Sequence, residues 1–248
     1  MSKDYSQFRK YRNPLRRWFT KYVLGTLTIR LGCRVEINGR ENIPKDEPVL
    51  VVFNHFHFAD SGIAVITLPW YTEYIAGTER PTAPNPLIAN APDFMWGTIN
   101  VKRGTSSRYV FEASEAVLAQ NGILAIFIEG GAWADVLRPP RPGTSLIAVR
   151  NRCKIVPVAI HGMETVFQFW KTGRRGKVTV NIGEAVGPFE ANGRGKARRQ
   201  QLDQIADDVM LELKAMLPER HHGVYSDDPE MRAEAQKVAD YPWETKTE

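Results

Sequence analysis

The 248 residues are 43% hydrophobic, enough for a sizeable core and too many for a disordered chain. Lys and Arg exceed Asp and Glu by 33 − 28 = 5, and the excess is concentrated in residues 1–40, where Lys3, Arg9, Lys10, Arg12, Arg16, Arg17, Lys21, Arg30, Arg34 and Arg40 face only Asp4 and Glu36. Two cysteines, Cys33 and Cys153, give no disulfide framework and point to a reducing cytoplasm; no secretory signal is evident, and no run of about 18 uncharged apolar residues predicts a membrane span.

A helix is expected to begin at Pro14. Leu15, Trp18, Phe19, Tyr22, Val23, Leu27 and Leu31 then form one apolar stripe, with Arg16, Arg17, Lys21 and Arg30 on much of the remainder. Such a helix either packs on a domain or lies in a membrane interface with its cations reaching lipid phosphates. Arg34–Gly39 alternates as a strand, and Val49–Phe53 is a continuous apolar run, as in a buried strand. The run ends in Asn54-His55, and a short apolar helix is expected from Asp60 towards Pro69. Tyr74–Gly77 reads as a strand, and the proline-rich residues 80–92 leave room for one short helix near Leu87–Asn90. Gly97–Gly104 is expected to be a strand that delivers Lys102 and Arg103 into a turn, followed by a helix over Arg108–Gln120 capped by Ser106 or Ser107. Gly122–Ile128 is a second fully apolar strand and ends in Glu129-Gly130-Gly131. A loop rich in Pro and Arg, a helix over Thr144–Arg150 and a buried strand over Lys154–Ile160 come next, the last ending at His161. A strand over Lys177–Ile182 and a helix over Lys196–Leu217 complete the pattern, with the last 30 residues expected on the surface. Strands alternating with helices predict an α/β fold with a central sheet flanked by helices, and ligand sites in such folds lie beyond strand ends.

The stretch from His55 to Asp60 carries chemistry. A neutral imidazole accepts a proton from a hydroxyl, and a carboxylate on its other ring nitrogen fixes the tautomer and supports the imidazolium. The spacing of five suits a turn entering a helix. Three other readings compete: an ordinary hydrogen-bonded loop histidine, a metal site using His55, His57 and Asp60, and surface polar residues alternating with buried Phe56 and Phe58. Lys102 and Arg103 suit a phosphate or carboxylate, Glu129-Gly130-Gly131 forms a tight turn that admits a ligand to the backbone, and Arg138 and Arg141 add charge nearby.

In order along the chain, Asn54-His55 to Asp60, Gly97-x-Ile99-x-x-x-Arg103, Phe127-Ile128-Glu129-Gly130 and Val156-Pro157-Val158 resemble the four motifs of the glycerolipid acyltransferases, the family of 1-acyl-sn-glycerol-3-phosphate acyltransferase. Gly183-Glu184 and the stretch from Leu217 to Tyr225 extend the resemblance, which covers roughly residues 30–226. The third motif departs from the family pattern: Ile128 stands where Pro is usual, and Gly131-Ala132 where Thr-Arg is common.

The resemblance implies a mostly parallel sheet of the glycerol-3-phosphate acyltransferase type and acyl transfer to the hydroxyl of a lysophospholipid acceptor. His55 would be the base and Asp60 its orienting partner. Arg103, Lys102, Glu129, Gly130, Gly131 and Arg141 would bind substrate, and Arg138 or Arg141 would stand in for the arginine missing at Ala132. The donor would be acyl-CoA or acyl carrier protein, with no metal and no bound cofactor. Residues 1–33 would form a membrane-associating segment, 34–226 the acyltransferase domain and 227–248 a polar tail, placing the protein on the cytoplasmic face of an anionic membrane. The rivals are acylation of another lipid or glycolipid acceptor, and a non-catalytic lipid-binding module. A nucleic-acid partner is not expected, since it gives no reason for His55 and Asp60 at this spacing.

Overall fold

The computed structural model describes residues 13–45, 47–68, 71–78, 85–102, 108–166, 173–240 and 242. Two short helices open it, α1 (Pro14–Trp18) and α2 (Gly25–Gly32), joined by a π-helical stretch at Phe19–Leu24. Then follow β1 (Cys33–Asn38), β2 (Val49–Phe53), α3 (Asp60–Thr67), β3 (Glu73–Gly77), α4 (Pro86–Met95), β4 (Ile99–Val101) and α5 (Arg108–Leu118). The second half contains β5 (Ile123–Phe127), α6 (Gly143–Asn151), β6 (Lys154–His161), α7 (Met163–Val166), β7 (Gly176–Ile182), α8 (Gly195–Ala215) and α9 (Pro229–Gln236).

The seven strands make one sheet in the order β1-β7-β6-β2-β5-β3-β4, with every pair parallel except β6 and β7. This is the mostly parallel α/β sheet expected from the alternating elements. The unbroken apolar run of β2 takes the centre, where both faces are covered and each of its residues is buried. Strand β1, whose side chains alternate between buried and exposed, takes an edge. Two apolar layers close the faces. Leu50, Val52 and Leu124 pack with α5, α6 and α8 on one side; Val51, Phe53 and Val158 pack with α3 on the other. The register sets Phe53 opposite both Phe127 and Val158. The carboxyl ends of β2, β5 and β6 are therefore level, and whatever follows them meets at one rim.

Three features depart from the expected pattern. The amino-terminal stripe is turned outwards: Leu15 is 78% exposed, Trp18 49% and Leu27 54%, while Arg17 and Lys21 are buried. Arg17 pairs with Glu73 at 2.6 Å and donates from Nε to the Trp96 carbonyl at 2.9 Å, and Lys21 donates to the Leu68 carbonyl. These two cations are spent inside the protein and do not reach out to lipid phosphates. Helix α4 continues past Pro92 to Met95, capped by Asn85 on the Ile88 N–H, and buries none of its residues. The carboxyl-terminal residues are also more than a surface coat. Leu137 donates to the His221 carbonyl at 2.9 Å and accepts from Val224 at 3.1 Å, and His221, Ser226 and Ala235 are buried. Gly223 has φ +56°, and a Cβ there would collide with the Leu137 carbonyl.

Candidate active site

The site begins where β2 runs out. Asn54 is fully buried; its side chain donates to the Ile160 carbonyl at 2.8 Å and accepts from the Ile160 N–H at 2.7 Å. That amide replaces one rung of main-chain pairing with β6 and releases the backbone of His55 for other partners. The His55 N–H donates to Glu129 Oε2 at 2.6 Å, and its carbonyl accepts from Arg138 Nη2 at 2.6 Å. The His55 ring stacks on Phe127 with centroids 4.1 Å apart.

Asp60 opens α3, and one oxygen makes most of its contacts. Oδ2 accepts from the N–H groups of Phe56 and His57, both at 2.8 Å, and lies 3.3 Å from His55 Nδ1. The two backbone bonds close the turn that the spacing of five requires. With a carboxylate on Nδ1, the proton resides there and Nε2 is left as the basic nitrogen. The Asp60 side chain is 1% exposed and that of His55 17%, so the pair is shielded while the imidazole keeps an opening to solvent.

On the neighbouring strand, Glu129 is sealed in. Its Oε1 accepts from the Arg138 N–H at 3.0 Å and from Arg138 Nε at 3.2 Å. Burial pushes the Glu129 carboxyl above the ordinary carboxylate range, opposed by the Arg138 guanidinium and by the N–H groups of His55 and Arg138. Arg138 also donates from Nη2 to the Gly131 carbonyl at 2.9 Å, and its guanidinium carbon sits 3.8 Å from the centre of the Trp133 ring. Gly130 turns at φ +76°, and a Cβ there would press on the Arg141 side chain at 3.1 Å. Arg141 is exposed, and its N–H is held by the Ile128 carbonyl at 2.8 Å.

The fold therefore gathers His55, Asp60, Glu129, Gly130, Gly131 and Arg141 at the ends of β2 and β5. Lys102 follows β4, the edge strand, with β5 and β3 between it and β2. Arg103 and the expected caps Ser106 and Ser107 lie outside the described residues. Arg138 faces inwards with every atom buried, so in this structure it does not stand in for the arginine missing at Ala132.

Two participants escaped the sequence reading. Phe127 supplies the face on which His55 rests, and its place at the end of an apolar strand was the available signal. His221 stacks on Phe56 at 5.2 Å, is 2.5 Å from the Asp135 carbonyl through Nδ1, and accepts from Arg220 Nε at 3.1 Å. A small pocket beside Asp60 is lined by Phe56, His57, Asp135, His161 and Glu164. Burial pushes the imidazoles of His57 and His161 below their ordinary range. Among the described residues no group of three or more His, Cys, Asp or Glu is placed to hold a metal ion. Burial raises the thiol of Cys153 to about 11 and that of Cys33 above its usual value, so neither is a ready thiolate. What the arrangement can do is take a proton: a rigidly held imidazole, oriented by a buried carboxylate, is suited to drawing one from an incoming hydroxyl.

Comparison with known proteins agrees. A family model described as Acyltransferase matches residues 34–161, more than half of the chain. The crystal structure of the 1-acyl-sn-glycerophosphate (LPA) acyltransferase PlsC from Thermotoga maritima has the same fold, with a TM-score of 0.55 at 22% identity over 88% of this chain and 86% of that one. No curated protein matches.

Proposed function

The chain belongs to the acyltransferase family, and from that premise we propose that it moves a fatty acyl group from acyl-CoA or acyl carrier protein to the hydroxyl of a lysophospholipid. The leading acceptor is 1-acylglycerol-3-phosphate, and the product is then phosphatidic acid, a step of phospholipid biosynthesis. The observation that carries the reading is His55 with Nδ1 on Asp60 and both its peptide groups held by Glu129 and Arg138.

His55 Nε2 takes the proton of the acceptor hydroxyl as its oxygen attacks the thioester carbonyl. Asp60 supports the imidazolium. The tetrahedral intermediate collapses with cleavage of the C–S bond, and the departing thiolate takes the proton back from His55. No acyl-enzyme forms, because the chain has no Gly-x-Ser-x-Gly elbow and its two thiols are buried. Arg103, Lys102 and Arg141 bind the acceptor phosphate, and Gly130 and Gly131 shape the space beside it. No metal or bound cofactor takes part. A different phosphate-free lipid acceptor is the second reading, favoured by Ala132 and by the inward turn of Arg138.

The protein seats itself on the cytoplasmic face of an anionic membrane through residues 1–33, ahead of an acyltransferase domain at 34–226 and a polar tail at 227–248. Among the described residues no helix is long and apolar enough to cross a membrane. The outward side chains Leu15, Trp18, Phe19 and Tyr22, with Leu87 and Phe94 of α4 at 85% and 75% exposure, offer an apolar face to lipid. Arg17 ties the two elements together through Trp96, and the basic residues that precede Asn13 supply charge for anionic headgroups.

The test is acceptor-dependent release of CoA from palmitoyl-CoA in mixed detergent micelles, over a panel of lysophospholipids, for wild type and His55→Ala. Release with 1-acylglycerol-3-phosphate that vanishes in His55→Ala is the expected result. Release only with another acceptor moves the substrate and keeps the chemistry. Folded protein that releases nothing with either donor leaves a lipid-binding module.

A further inference from the structure

We propose that Glu129 and Arg138 are positioning residues, a buried clamp that sets the height of His55 above the rim of the sheet, and that neither is a ligand of the acceptor. The proposal rests on His55 being the base. The main chain at His55 has left the sheet, since Asn54 uses its side chain for the last contact with β6. Without new partners, the N–H and carbonyl of His55 would be free to shift. Glu129 takes the N–H at 2.6 Å and Arg138 takes the carbonyl at 2.6 Å. The two are joined to each other at 3.2 Å, so the peptide groups on both sides of the base close into a ring of charged hydrogen bonds.

Neither member has capacity to spare for a substrate. Both oxygens of Glu129 are occupied by the chain itself, and its side chain is 0% exposed. Arg138 uses Nε and Nη2 inside; Nη1 has no hydrogen-bond partner and is sealed from the surface. Trp133 covers the guanidinium, and the main chain next to Arg138 is pinned through Leu137 to His221 and Val224. A phosphate could reach this arginine only after the whole loop opened. Arg141, exposed along the Gly130 turn, is the cation that faces outwards.

Two variants separate positioning from binding. Arg138→Lys keeps a charge beside Glu129 but loses the fork that spans two carbonyls. Glu129→Gln/Arg138→Met removes both charges together and strands neither alone in the interior. Steady-state rates are measured in mixed micelles with 1-acylglycerol-3-phosphate, beside wild type and His55→Ala. For both variants kcat falls roughly 10- to 100-fold, the scale of a base displaced by about an ångström, while KM for the acceptor stays within about twofold. A raised KM with kcat retained, or unchanged kinetics, overturns the proposal.

A second measurement needs no variant. Asn54-His55 is the only Asn-His pair in the chain, so combined 13C-carbonyl Asn and 15N-His labelling isolates the His55 amide in an NMR spectrum. Its proton, in a short bond to a carboxylate, is expected well downfield both free and with 1-acylglycerol-3-phosphate added. An ordinary shift in the free protein, or loss of the downfield position when acceptor is added, overturns the clamp even if the variants fail to fold. Wild type that transfers no acyl group at all, with the downfield amide present, refutes the acyltransferase reading and leaves the clamp standing.

Discussion

The change Asp60→Asn removes a charge and little else. One oxygen of Asp60 serves Phe56, His57 and His55, and an amide oxygen at that point accepts from the same three groups. The turn and the tautomer survive, while the negative charge facing the imidazolium is lost. The facing atoms are 3.3 Å apart. With the charge centres about 4 Å apart and an effective dielectric of about 20, the attraction is about 4 kcal/mol. At ~1.4 kcal/mol per tenfold, kcat/KM should fall by about three orders of magnitude. The assay is CoA release from palmitoyl-CoA at saturating acceptor and at low acceptor, alongside thermal unfolding, where the melting temperature should move by no more than a few degrees. Asp60→Ala is the contrast. It leaves two N–H groups without an acceptor, at about 1–3 kcal/mol each, and so loses stability as well as rate. If Asp60→Asn keeps activity within about tenfold of wild type, its charge does not support an imidazolium and the mechanism fails.

Two further outcomes follow from the surface and from the carboxyl-terminal turn. Leu87→Asp/Phe94→Asp on α4 should cut binding to phosphatidylglycerol vesicles by at least about tenfold, since each side chain contributes roughly 1.5–3 kcal/mol when buried, with activity in mixed micelles unchanged; flotation that matches wild type removes α4 from the lipid-facing surface. Gly223→Ala should lower the stability measured by urea unfolding by about 2 kcal/mol or more, because the new methyl meets the Leu137 carbonyl, and an unchanged urea midpoint would show that the turn yields without strain.

What the sequence revealed was local, and what it concealed was long-range. The run Val49–Phe53 fixes the central strand by composition alone, and the five-residue step from His55 to Asp60 needs only one turn to close. Glu129 was legible as a polar residue ending an apolar strand. Its partner was not: Arg138 reaches the His55 carbonyl across 83 positions, and His221 reaches Asp135 across 86. No periodicity marks such contacts, and an arginine in a proline-rich loop looks solvated until a tryptophan and a carboxylate close on it. The amino-terminal stripe misleads for a different reason. Helical spacing shows that a segment has two faces, but not which one meets the protein; Arg17 and Lys21 face inwards because Glu73 and the carbonyls of Trp96 and Leu68 await them.

The loop that carries Arg138 is fastened by residues 221–224, well after the last strand ends at Ile182. During synthesis the chain emerges from its amino terminus, so all seven strands are available before the fastening is. A nascent chain can thus assemble its sheet with the proton-abstracting histidine still loosely held. The chemistry becomes competent only when the final turns arrive and lock the loop, which makes the onset of turnover, and not the appearance of secondary structure, the marker of a finished molecule.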